Sequence, residues 1–135
     1  MRKIVLFTDG GSRNNPGKAA AAYVIYEDGQ KVYEDGNYLG IATNNEAEYE
    51  AVKLGLGKLM EMGRAGVGVE VRCDSRLAVE QLRGNFKVKN PRMKALVEGV
   101  KTLEQNFSRV SYVLIPREEN FQADFLVNQT LDRYQ

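Results

Sequence analysis

Apolar positions along this chain change period several times, and each change marks an element. Ile4–Phe7 is continuously apolar, the pattern of a central strand buried on both faces. Asp9-Gly10-Gly11-Ser12-Arg13-Asn14-Asn15-Pro16-Gly17 reads as a turn-rich connection. Ala19–Tyr26 and Lys31–Tyr38 are strand-like, with Glu27-Asp28-Gly29-Gln30 as the hairpin turn between them. The period then becomes helical from about Asn44 to Met62. Val67–Cys73 alternates and is rich in valine, hence a strand. Ser75–Arg83 is a short helix capped by Asp74 or Ser75. Asn90-Pro91 opens the next helix, with asparagine as N-cap and proline in the first turn, running to about Gln105. Arg109–Ile115 is a fifth strand, and Asn120 caps a last helix to about Tyr134.

The order is β-β-β-α-β-α-α-β-α. An antiparallel meander followed by crossovers predicts an α/β fold, with a five-stranded mixed sheet flanked by helices. The 135 residues fit one domain, and no repeat, linker or low-complexity tract divides them.

Helical phase separates two candidate glutamates. At about 100° per residue, Glu46 and Glu48 point to nearly opposite sides of their helix. Ala51, Val52, Leu56, Leu59 and Met62 spread over one arc, and Glu48 falls near its middle. Glu46 lies opposite, on the wet face, as the fourth residue of a Thr43-x-x-Glu capping box. A carboxylate aimed at a core face is costly unless paired or metal-bound. In the last helix Asp124 sits at the edge of the stripe Ala123, Val127, Thr130, Leu131 and Tyr134, with Asn128 one turn on. Taken alone, Asp124 reads equally well as a partner of the helix dipole. Phe121 and Phe125 fall away from that stripe, to pack under a loop or to form a contact surface.

Asp9 and Asp74 each close an apolar strand, the edge where α/β sheets bind ligands. Each is also an ordinary turn or helix cap by itself. If their strands are parallel neighbours, the two carboxylates meet. Converging carboxylates need a counter-charge, and hard cations such as Mg²⁺ or Mn²⁺ take oxygen ligands.

Composition narrows the chemistry. There is no histidine, which excludes His-activated nucleophiles and argues against a zinc site. Cys73 is the only cysteine, so no intrachain disulfide forms; a small buried strand-end residue is its simplest reading. No apolar run reaches membrane-spanning length. The basic-then-apolar start is too short for a signal peptide, so a cytoplasmic protein without a membrane role is expected. The net charge of +1 gives no global pull toward nucleic acid. Arg83–Lys94 nevertheless carries five basic residues and no acid. It is either a solvated loop or a phosphate-contacting patch, with Asn85, Phe86, Lys87 and Lys89 suited to backbone contact and stacking.

Four segments in order carry a family resemblance over nearly the whole length. They are Phe7-Thr8-Asp9-Gly10-Gly11 with Asn15-Pro16-Gly17, Thr43-Asn44-Asn45-x-Ala47-Glu48, Asp74-Ser75, and Glu119-Asn120-x-x-Ala123-Asp124. The chain resembles type 1 ribonuclease H. The resemblance implies endonucleolytic hydrolysis of the RNA strand of RNA/DNA hybrids, leaving 5′-phosphate and 3′-hydroxyl ends. Asp9, Glu48, Asp74 and Asp124 match the family's metal-binding carboxylates, with Asp9 bridging two Mg²⁺ ions for which Mn²⁺ substitutes. Asn15, Asn44, Asn45 and Arg76 match minor-groove contacts, and the backbone after Asp9, from Gly10, lies near ribose 2′-hydroxyls. Thr43 matches part of a DNA-phosphate pocket, and Asn85 is assigned to another part.

Three departures stand out. Ile41 occupies the place where some members carry an arginine of that phosphate pocket. The loop Pro116-Arg117-Glu118-Glu119-Asn120 lacks the histidine many relatives have before the last aspartate; either Arg117 or Glu118 substitutes, or turnover is slower. The basic protrusion of some relatives is missing, which predicts weaker, salt-sensitive binding. Two other readings stay open: a nuclease of the same fold acting on double-stranded RNA or junctions, and a non-catalytic hybrid-binding module. A proofreading exonuclease is set aside, because Gly11 stands where a second acid belongs. No obligate protein partner is evident.

Overall fold

The computed structural model describes residues 2–134. Its strands are β1 (Ile4–Arg13), β2 (Gly17–Glu27), β3 (Gln30–Ala42), β4 (Gly68–Cys73) and β5 (Arg109–Leu114). Its helices are α1 (Asn44–Glu61), α2 (Arg76–Leu82), α3 (Pro91–Glu104) and α4 (Phe121–Arg133). The five strands form one mixed sheet in the order β3-β2-β1-β4-β5. β1, β2 and β3 pair antiparallel, while β1–β4 and β4–β5 pair parallel. The predicted element order and sheet type are those observed.

Strand ends differ from the sequence reading. Residues 9–13, expected as connection, continue β1, because Asp9 to Arg13 stay paired with Ala22 to Lys18. Only Asn14, Asn15 and Pro16 form the turn. β3 likewise continues to Ala42, opposite Gly17. The run of small alanines in β2 lets helices lie close on both faces, and Ala19–Ala22 are fully buried.

One face of the sheet carries Leu6, Tyr23, Ile25, Val69 and Val71 against α1, with Tyr49, Val52, Leu56 and Leu59. The other carries Ala20, Ala22 and Val24 against α4, with Ala123, Leu126, Val127 and Leu131. The valine, leucine and isoleucine side chains among these contribute about 1.5–3 kcal/mol each on burial. Gly36 admits α4 to β3: a Cβ there would come within 2.3 Å of Thr130 Oγ1.

The caps form mostly as expected. Thr43 Oγ1 accepts from Glu46 N, and Thr43 N donates to Glu46 Oε1. Ser75 caps α2, not Asp74. Asn90 caps α3 with Pro91 at its start. Cys73 is buried and its thiol pKa is pushed well up by that burial.

Three other assignments change. Glu46 is buried instead of wet, because Arg92 of α3 folds over it and pairs with Glu46 Oε2 at 3.0 Å. Asn120 makes no capping bond. Phe121 and Phe125 are not under a loop; each is 62% exposed, since their side of α4 faces away from the sheet.

Candidate active site

The parallel ladder between β1 and β4 ends at Thr8 opposite Cys73. Asp9 and Asp74 each follow next in the chain, so both emerge at the same edge. Asp9 was expected where its strand closes; it closes the parallel ladder while β1 runs on against β2.

Glu48 arrives from α1, and one glycine decides how close. A Cβ on Gly10 would lie 2.2 Å from the Ala47 carbonyl carbon and 2.6 Å from Glu48 N. Only glycine lets the backbones of β1 and α1 touch there. Gly10 N then donates to Glu48 Oε1 at 2.8 Å, which fixes the carboxylate beside Asp9. That amide is therefore committed to Glu48, unlike the substrate contact expected for Gly10.

Ligand oxygens of Asp9, Glu48 and Asp74 all lie within 4.8 Å of one another. That span suits oxygens on opposite sides of a divalent cation, about 4–5 Å apart. Asp124 stands outside this triad but lines the same cleft of about 400 Å³, with Arg13, Asn44, Arg117 and Asn128. Asn128 donates to the Asp124 carbonyl at 3.0 Å.

The site is electrostatically loaded. Burial, then the charges of Asp74 and Asp124, push the Asp9 carboxyl up to about 8. Burial and Asp9 push Glu48 well above the usual carboxylate range. Asp74 is also raised by burial, against a hydrogen bond from Asn120 and the charge of Arg117. Such a set holds protons at neutral pH unless a cation replaces them. The donor chemistry, the spacing and the raised pKa values all fit hard divalent metal.

Asn120 is the residue the sequence reading misplaced. It is 1% exposed, and Nδ2 donates to Thr8 O at 2.8 Å and to Asp74 Oδ2 at 3.3 Å. It ties β1 to the Asp74 carboxylate across the loop before α4. Its place four residues before Asp124 was the available signal. Of the two candidates to replace the loop histidine, Arg117 lines the cleft and Glu118 is exposed outside it.

The expected substrate residues divide. Asn44 bridges both regions: its Oδ1 accepts from Ser12 N and Oγ at 2.8 and 3.2 Å, and its N–H donates to Asn15 Oδ1. Asn15, Thr43, Asn45 and Lys89 line a second groove of about 390 Å³ together with Asn90 and Arg92. Asn85 is not in that groove; its amide reaches Glu80 at 3.4 Å. Lys87 and Arg76 are exposed outside both. Arg83 leaves the basic patch, because it holds the Tyr112 carbonyl and Glu80.

A family model described as reverse transcriptase-like matches residues 7–130. The ribonuclease HI of Halobacterium salinarum is 36% identical over 131 residues, covering 96% of this chain and 65% of that protein. The crystal structure of that organism's RNase H1 superposes with a TM-score of 0.92, covering 97% of this chain and 98% of that one. The chain belongs to the ribonuclease H family. LC11-RNase H1, solved in complex with an RNA/DNA hybrid, is 39% identical with a TM-score of 0.92, covering 97% of this chain and 98% of that one. The bifunctional protein Rv2228c of Mycobacterium tuberculosis is 37% identical over 132 residues. This ribonuclease H-like chain spans 96% of itself but only 36% of that relative. Among the described residues, no helix is long and apolar enough to cross a membrane.

Proposed function

We propose that this chain acts as one catalytic domain that hydrolyses the RNA strand of RNA/DNA hybrids. The observation that carries the proposal is the Asp9–Glu48–Asp74 cluster, with Asp9 and Glu48 buried and Asp74 half-buried, at the open edge of a ribonuclease H sheet. LC11-RNase H1 in complex with a hybrid supports the choice of duplex.

Asp9, Glu48 and Asp74, with Asp124 across the same cleft, would hold two Mg²⁺ ions. When bound, the ions supply a metal-activated water and stabilise the departing 3′ oxygen. The chain's own part is positioning. Gly10 N holds Glu48, Asn120 holds Asp74, and Arg117 brings a positive charge to the cleft that accepts the scissile phosphate. Water oxygen joins phosphorus as the bond to O3′ breaks, leaving a 5′-phosphate and a 3′-hydroxyl. Asn44, Asn45 and Asn15 meet the minor groove, where ribose 2′-hydroxyls distinguish RNA.

Incubation of hybrid, double-stranded RNA and double-stranded DNA with the protein in Mg²⁺, Mn²⁺ or chelator tests this. Cleavage of the hybrid's RNA strand alone, dependent on metal, is expected. Equal cleavage of double-stranded RNA would replace this substrate assignment with the broader one.

A further inference from the structure

The groove beside the cleft is built to present donors. Asn15 Oδ1 is taken by Asn44 N. Asn90 Oδ1 is taken by Arg92 N and Met93 N. Thr43 Oγ1 accepts from Glu46 N. In each case the oxygen is committed to the protein, and the amide N–H₂ or hydroxyl proton remains to donate. The oxygen of Gln81, another lining residue, is buried away from solvent.

Among the described residues lining the groove Glu46 is the only carboxylate, and both its oxygens are engaged. Oε1 accepts from Thr43 N at 2.9 Å, and Oε2 meets Arg92 Nε at 3.0 Å. The Arg92 side chain is nevertheless 77% exposed, while that of Glu46 is 11% exposed. Among the described residues, Glu46 is the only side chain that holds the guanidinium, and it does so through Nε. The two terminal nitrogens are therefore free for an oxyanion, in a fork that suits phosphate.

We infer that Arg92, oriented by Glu46, is a cation that grips a backbone phosphodiester of the substrate duplex away from the scissile one. Asn44 lines the active cleft while its neighbours Thr43 and Asn45 line the groove, so one duplex spans both. Arg92 comes from α3 and Ile41 from β3, and the two line one adjoining groove with Glu46. It restores from another element a charge that position 41 lacks. The inference rests on the hybrid reading above.

Steady-state cleavage and anisotropy binding of an RNA/DNA hybrid, each over a range of salt, test it. Arg92→Gln is expected to raise KM and the binding Kd about ten-fold, leave kcat within about two-fold, and reduce the log–log salt slope by about one. Arg92→Lys is expected to restore the slope. Lys31→Gln, on the β2–β3 hairpin, removes one charge elsewhere and should change neither. A melting temperature within about 2 °C of the unaltered protein excludes a folding defect.

Glu46→Gln combined with Arg92→Gln separates gripping from neutralisation. It remains impaired if Arg92 holds phosphate; unaltered binding by this double variant would show that Arg92 merely neutralises Glu46, and would overturn the inference. An unchanged Kd and slope for Arg92→Gln would overturn it too. If the unaltered chain binds hybrid without cutting it, the catalytic reading fails while the binding comparison still decides Arg92.

Discussion

Burial is the larger cause that keeps a proton on Asp9 near neutral pH, with Asp74 and Asp124 adding to it. The sign for stability follows. Asp9 titrates near 3.8 in the unfolded chain and about 8 in the metal-free fold. Between those values the folded state binds more protons, so stability is present below the lower value and is lost as pH rises through the higher one. Asp9→Asn removes this liability. Even half the shift, about two pKa units, corresponds to about 3 kcal/mol. In chelator the variant should melt about 5–10 °C above the unaltered protein at pH 8.5, with the gap closing toward pH 4. Mg²⁺ should raise the melting temperature of the unaltered protein, increasingly with pH, and not that of the variant, which should also lack cleavage. Undiminished cleavage by Asp9→Asn would sink the metal assignment. Asn120 acts through Asp74. Asn120→Ala should weaken metal-dependent activity about 10–100-fold, read as a higher Mg²⁺ requirement, at a stability cost of about 1–3 kcal/mol. Activity recovered at high Mg²⁺ would distinguish this positioning role from collapse of the fold.

At the scale of elements, the seam between β1 and α1 joins fold and site. Gly10→Ala would drive a methyl group into the Ala47 carbonyl and the Glu48 amide. The strand and helix must then part, which should cost about 2–4 kcal/mol in denaturant unfolding. It should also lower cleavage, because the Gly10 N–H no longer seats Glu48. A variant as stable as the parent would show the seam to be compliant. The same seam explains what the sequence made legible. Helical phase put Glu48 on the core side, since an apolar stripe has one direction to face. The parallel crossover brought Asp9 and Asp74 to one edge, since strand ends in such sheets converge. Strand length was not legible at Asp9–Arg13: an aspartate, two glycines and a serine look like a turn until a partner strand of small alanines pairs with them. Nor was the role of Asn120, because helix-start asparagines are ordinarily caps and its real acceptors lie 112 and 46 residues away. Glu46 looked wet because a single helix's phase cannot show that another helix supplies an arginine to cover it.

For the whole molecule, the weak net charge of +1 makes local placement of cations decide duplex binding. The basic run Arg83–Lys94 is smaller in effect than in count. Arg83 is used on Tyr112 O and Glu80, and Arg92 gives its Nε to Glu46, which leaves its terminal nitrogens free. Lys87, Lys89 and Lys94 are left exposed, with Lys89 lining the groove. Each phosphate neutralised contributes a slope of about 0.7–0.9 in the salt dependence of binding. Neutralising both, as Lys87→Gln with Lys89→Gln, should therefore flatten the slope by up to about two and raise the substrate concentration needed at 0.15 M salt, with kcat retained. The single variants assign the share: Lys89→Gln should account for most of the change if the groove tracks the backbone, because Lys87 lies outside its lining. Unchanged affinity and slope in the double variant would make the stretch that carries Lys87 and Lys89 a solvated loop. Binding would then rest on Arg92 and the donors of Asn15, Thr43 and Asn90.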